Sequence, residues 1–162
     1  MLEPRAAIPI EYPILTGIER IADEMFLKAG IVNLPAPAEP NVYGDALLVL
    51  VAGTPPVGFI RVIELNGQPH LEQLSVHPHY GKKGVGSALL GAAIKRLGDS
   101  GYSTLTLMTF EDIKWNAPFY RKRGFRTVEE VTPTISWLLR REQELGMDKL
   151  GRRVALVYDL QK

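Results

Sequence analysis

VHPHYGKKGVGSALL, residues 76–90, is where the chain changes period. Val76 closes the run HLEQLSV (70–76). From Gly84 to Leu97 the residues Val85, Ala88, Leu89, Ala92 and Ala93 recur at helical spacing. A strand therefore passes into a helix across a turn that carries Lys82, Lys83 and glycines at 81, 84 and 86. Such a turn presents unpaired backbone N–H groups at a helix N-terminus, where the macrodipole adds partial positive charge. Glycine lets a ligand approach the backbone with no Cβ in the way. Two mobile lysines add charge, and the combination suits a diphosphate or similar anion. The same residues also read as a tight turn with solvated lysines.

Outward from this turn the element order is legible. Upstream, apolar spacing predicts a helix over 14–28, with Gly30 as its stop. The proline-rich LPAPAEPN (34–41) is a stiff loop. Runs at 46–52, 57–65 and 70–76 follow, the last two joined by the hairpin dipeptide Asn66-Gly67. Downstream come a strand at 103–109, a short helix within 114–124 closed by Gly124, the strand FRTVEEV, a helix near 135–145 and a last strand at 152–160. Antiparallel strands followed by strand–helix–strand predict an α/β (α+β mixed) fold: a mixed, mostly antiparallel sheet with helices on both faces. The whole chain, 1–162, reads as one domain.

Composition narrows the function. A net charge of +1 gives no global field for nucleic acid, so any anion site is local. Cysteine is absent, which removes disulfides, thiolate zinc sites and cysteine nucleophiles. No apolar run approaches the roughly 20 residues of a membrane helix. Prolines at 4, 9 and 13 break up any signal-peptide core, so a cytoplasmic protein without a membrane partner is expected.

The turn is neither of two common nucleotide loops. No lysine follows Gly86, as a P-loop needs, and Leu89 stands where the dinucleotide fingerprint has its third glycine. It resembles V-x-P-x-x-[QR]-x-x-G-x-[GA], the acyl-CoA pyrophosphate loop of the GNAT N-acetyltransferase superfamily, with Val76, Pro78, Gly84 and Gly86 in register. Gly81 departs from the pattern, standing where that family has Gln or Arg. A second family motif, an Asn followed by an aromatic–Tyr pair and Gly-Phe, reads here NAPFYRKRGF, residues 116–125. A helix and a strand separate the two, as in the family.

The resemblance implies a GNAT fold of six to seven strands and an acetyl-CoA-dependent transfer to a primary amine by direct attack. It implies donor contacts from Leu74, Ser75 and Val76, and from the turn residues Gly81, Lys82, Lys83, Gly84, Val85, Gly86 and Ser87. Asn116 and Phe119 would flank the donor, and Lys122, or another of Arg121–Arg123, would reach the 3′-phosphate. Tyr120 matches the family's general acid. Strand alternation puts His70, Glu72, Leu74 and Val76 on one face, and Glu72, then His70, are the candidate bases. No metal site is expected from His70, His77 and His79, given Pro78 between two of them.

In the family the acceptor enters beside the first helix and the following loop, which here hold Glu19, Asp23, Glu24, Glu39 and Asp45. Those acids read as a seat for a cationic amine or as a solvated face. The connection 131–151 reads as a cap on the acceptor or as a homodimer contact. Two other functions fit the same motifs: a non-catalytic acyl-CoA-binding regulatory module, and an acyltransferase with a longer acyl donor.

Overall fold

The computed structural model describes residues 2–162 and turns the alternating runs into a seven-stranded sheet. β1 (Arg5–Ala6), β2 (Leu48–Ala52), β3 (Gly58–Leu65) and β4 (Gln68–Val76) form an antiparallel meander. β5 (Thr104–Phe110) lies parallel to β4. The edge strand β6 (Arg126–Thr127) pairs with β7 (Arg153–Asp159), which inserts between it and β5, antiparallel to both. Asn66 and Gly67 both take positive φ, 51° and 81°, which the tight β3–β4 hairpin requires. FRTVEEV shortens to a two-residue strand: it lies on the sheet edge, and its exposed Glu129 and Glu130 leave the ladder.

Helices cover both faces, as the mixed pattern predicts. α1 (Tyr12–Lys28) buries Leu15 and Ile18 against Tyr43, Val51 and Phe59. α2 (Val85–Asp99) covers the other face, packing Leu89, Leu90, Ala93 and Leu97 on Leu50, Ile60, Val62, Leu105 and Leu156. Each such side chain stabilises the fold by about 1.5–3 kcal/mol when fully buried. α3 (Ala117–Arg121) adds Ala117 and Tyr120 to the same core. α4 (Pro133–Glu144) is capped by Thr132, whose hydroxyl accepts from the Ile135 amide. It sits on the α1 side of the sheet, where Arg141 reaches Glu72 and Glu142 reaches Arg153. Among the described residues no helix is long and apolar enough to cross a membrane.

Two irregularities decide the site. Arg61 pairs with Gln73 but Val62 pairs with Leu71, so Glu72 is an extra residue in β4. This bulge corrects the face assignment made from strict alternation. Leu71, Leu74 and Val76 face the α2 core, while Ser75 and His70 lie on the α1 side. Glu72 stays with His70, 3.7 Å from its ring, but no longer shares a face with Leu74 and Val76. The second irregularity is that β4 and β5 pair only at His70–Thr106 and Leu71–Leu107. Beyond those rungs the strands diverge, leaving 72–76 and 108–110 without each other.

Gly58 marks how tightly α2 seats on this region. A Cβ there would lie 3.2 Å from the Ser75 carbonyl oxygen, 3.2 Å from Val85 and 3.3 Å from Leu89. Gly58→Ala is expected to cost about 1–3 kcal/mol by overpacking, read from urea unfolding. Wild-type stability in that variant would show that α2 is not pressed onto the β3–β4 pair.

Candidate active site

The glycine turn is built to leave amides free. His79 N–H donates to His77 Nδ1 at 3.2 Å, so the His-Pro-His run caps a short 3₁₀ turn. The Gly81 amide donates to the Pro78 carbonyl at 3.1 Å. Lys82 (φ 59°) and Gly84 (φ 84°) then adopt left-handed backbone, and α2 starts at Val85, one residue later than the periodicity suggests. The amides of residues 82–87 find no backbone acceptor among the described residues. Six donors thus converge on a helix N-terminus, the arrangement that binds a diphosphate.

A cavity of about 1090 Å³ runs from this corner through the gap between β4 and β5 to the α1 side of the sheet. Leu74, Ser75, Val76, Lys82, Gly84, Val85, Gly86, Ser87, Asn116 and Phe119 all line it, and so does Gly81, though its amide is committed within the turn. Two predicted contacts are not brought there. Lys83 points its Nζ over the Tyr80 ring, 5.9 Å from the centroid, and Lys122 is exposed and does not line the cavity. Their place is taken by Arg123, whose guanidinium lies 3.7 Å over the Phe119 ring and donates twice to Ser87 Oγ, at 2.9 and 2.6 Å. Arg121 is occupied elsewhere, forked onto Glu111. Sequence reading named the triplet Arg121–Arg123 but had no signal to tell which of its members lines the cavity.

Tyr120 lines the cavity from α3, wedged edge-on between Phe119 and Phe125. Burial raises its phenol above the ordinary value, against a smaller opposing pull from Arg123, so it stays protonated across the neutral range. Asn116 Oδ1 accepts from the Phe110 amide at 3.2 Å, which ties α3 to the free end of β5. That bond uses one of the two polar atoms expected to contact the ligand.

On the α1 side, His70 is only 1% exposed; its Nδ1 lies 2.8 Å from Thr106 Oγ1. Burial drives its pKa down to about 4, partly offset by Glu72, so the imidazole is neutral near pH 7. Glu72 accepts from Arg141 at 3.2 Å, a contact 69 residues away in sequence that no local pattern reveals. Opposite, on α1, Glu19 is pushed up to about 7 by burial, then by Asp23, with Glu72 adding less. Asp23 is pushed up to about 6 by burial. One cavity therefore joins a ring of amide donors, a protonated phenol and a group of carboxylates.

Residues 44–127 match the family model for the acetyltransferase (GNAT) domain. Solved structures share the fold at low identity. A ribosomal-protein-S18-alanine N-acetyltransferase from Escherichia coli is 17% identical with a TM-score of 0.71, over 100% of this chain and 96% of that one. A PaiA N-acetyltransferase from Thermoplasma acidophilum in complex with coenzyme A is 18% identical with a TM-score of 0.66, over 98% and 99%. An N-acetylglutamate synthase from Neisseria gonorrhoeae, complexed with coenzyme A and N-acetyl-glutamate, is 18% identical with a TM-score of 0.72, over 100% and 36%.

The depressed pKa of His70 fixes the sign of a pH effect. The unfolded chain binds a proton near pH 6.5 that the native ring refuses until about 4. The stability His70 confers is present above 6.5 and is lost as pH falls toward 4. Urea midpoints followed across that range should fall less steeply in His70→Gln than in wild type. Identical slopes would mean the ring is not held neutral.

Proposed function

The chain belongs to the GNAT acetyltransferase family and is an acyltransferase, and we propose that its 162 residues act as one domain moving an acetyl group from acetyl-CoA to a primary amine within a ternary complex. The observation that carries this reading is the single cavity linking the six free amides of residues 82–87, the gap between β4 and β5, and Tyr120.

Each requirement of the transfer has a group in that cavity. The amides of 82–87, with Lys82 and Arg123, hold the diphosphate of the donor. Unpaired backbone of 72–76 receives the extended pantetheine arm as an added strand would be received. An amide of Val76 or its neighbour polarises the thioester carbonyl. The amine attacks that carbonyl carbon; a C–N bond forms and the C–S bond breaks, with no acyl-enzyme stage.

Two protons must move. Glu72, held in place by Arg141, takes the proton from the amine directly or through a water. Burial lowers the basicity of His70, and its bond to Thr106 with Glu72 3.7 Å away suits it to positioning that carboxylate more than to taking the proton itself. Tyr120 gives its phenolic proton to the departing thiolate; the proton is available because a phenol is protonated throughout the neutral range.

Removing the phenol separates catalysis from binding. Tyr120→Phe is expected to lower kcat by about 10²-fold or more, in line with general-acid contributions, with coenzyme A affinity unchanged. Thiol release against an amine panel and calorimetric titration with coenzyme A measure the two. Equal kcat would remove Tyr120 from the chemistry. Tight donor binding with no amine turned over by wild type would favour a non-catalytic acyl-CoA-binding module.

A further inference from the structure

We propose that Glu19 and Asp23 of α1 are the seat of the acceptor's ammonium group, so that the amine enters as an aliphatic cation. This deepens the acetyltransferase reading and rests on it. The two residues are four apart on α1 and so share a face, and both line the cavity on the side of the sheet away from α2. Glu19 is 8% exposed, yet its Oε1 has no hydrogen-bond partner among the described residues. Buried carboxylate oxygens are rarely left so, because desolvation without a partner is costly.

The other acids at this end are matched. Glu72 holds Arg141 at 3.2 Å, and Glu142 is forked by Arg153. Neither Glu19 nor Asp23 has a cation within 4.0 Å among the described residues. Of the cations that line the cavity here, Arg141 and Arg153 are held by Glu72 and Glu142, Arg61 of β3 is turned over the Tyr43 ring, 5.7 Å from its centroid, and Lys28 is exposed at the end of α1. None of them pairs with Glu19 or Asp23, so both acids face the cavity without an ion pair among the described residues. The upward shifts of both acids, to about 7 and about 6, agree with a pair that lacks its counter-ion. The Ala38 backbone and Arg61 offset the Glu19 shift only in part.

Isothermal titration of the coenzyme A complex with butylamine and 1,4-diaminobutane tests the seat, run in two buffers of different ionisation enthalpy. The expected result is that both amines bind with proton release. Glu19→Gln should weaken amine binding by about tenfold or more, and Asp23→Asn by less, with coenzyme A affinity unchanged in both. Glu19→Gln should also melt no lower than wild type, and at pH 8 higher by about 2 °C or more. The penalty of keeping Glu19 buried builds up between 4.5, where the unfolded carboxyl ionises, and about 7, and is constant above that, so the gain should be nearly gone by pH 4.5. Amine affinity untouched by Glu19→Gln, or a lower melting point in that variant, would overturn the proposal. So would coenzyme A binding with no amine binding, which would mean that Glu19 faces solvent only. Failure to bind coenzyme A at all would instead sink the acetyltransferase reading.

Discussion

After Leu71 the two parallel strands at the centre of the sheet stop pairing, and most of what the protein does depends on that parting. β4 continues to Val76 and β5 to Phe110 with their facing edges unsatisfied by each other. Exposed backbone donors and acceptors inside a protein call for a partner, and an extended, amide-bearing ligand is a natural one. The gap persists because both strand ends are held by other elements. β4 runs into the glycine corner, whose helix packs Val85 and Leu89 into the α2-side core. β5 is drawn aside by Asn116, which accepts from the Phe110 amide and anchors α3 and Tyr120 beside the opening.

The parting also organises charge. On one side of the sheet the cavity ends in backbone N–H groups, Lys82 and Arg123; on the other its lining mixes Glu19, Asp23, Glu72 and Glu142 with Lys28, Arg61, Arg141 and Arg153. Glu72 and Glu142 are taken up by Arg141 and Arg153, so the two mouths differ in character: free amides at one, carboxylates without an ion pair at the other. Tyr120 is protonated and His70 unprotonated near pH 7, and burial moves each further from ionising.

What the sequence disclosed was whatever is local. Periodicity located α1, α2, the meander and the Asn66-Gly67 hairpin, and the spacing of glycines and prolines exposed the corner because turn chemistry is encoded over a few neighbours. The bulge at Glu72 was hidden, since it comes from register between two strands and not from either strand alone. Strict alternation therefore placed Leu74 and Val76 on the wrong side relative to His70. Contacts between distant segments were equally silent: Arg141 on Glu72, and the choice of Arg123 over Lys122 at the corner, follow from how α3 and α4 dock. Among five acids named along 19–45, only the structure singles out Glu19 and Asp23 as cavity-lining.

The most direct measurement of the central claim is a crystal structure of the protein with coenzyme A. The account requires diphosphate oxygens within hydrogen-bonding reach of the amides of residues 82–87, and the pantetheine arm laid along 72–76 in the gap with its sulfur near Tyr120. Phosphates bound elsewhere, or β4 and β5 zipped together past Leu71 with the arm outside the sheet, would contradict it.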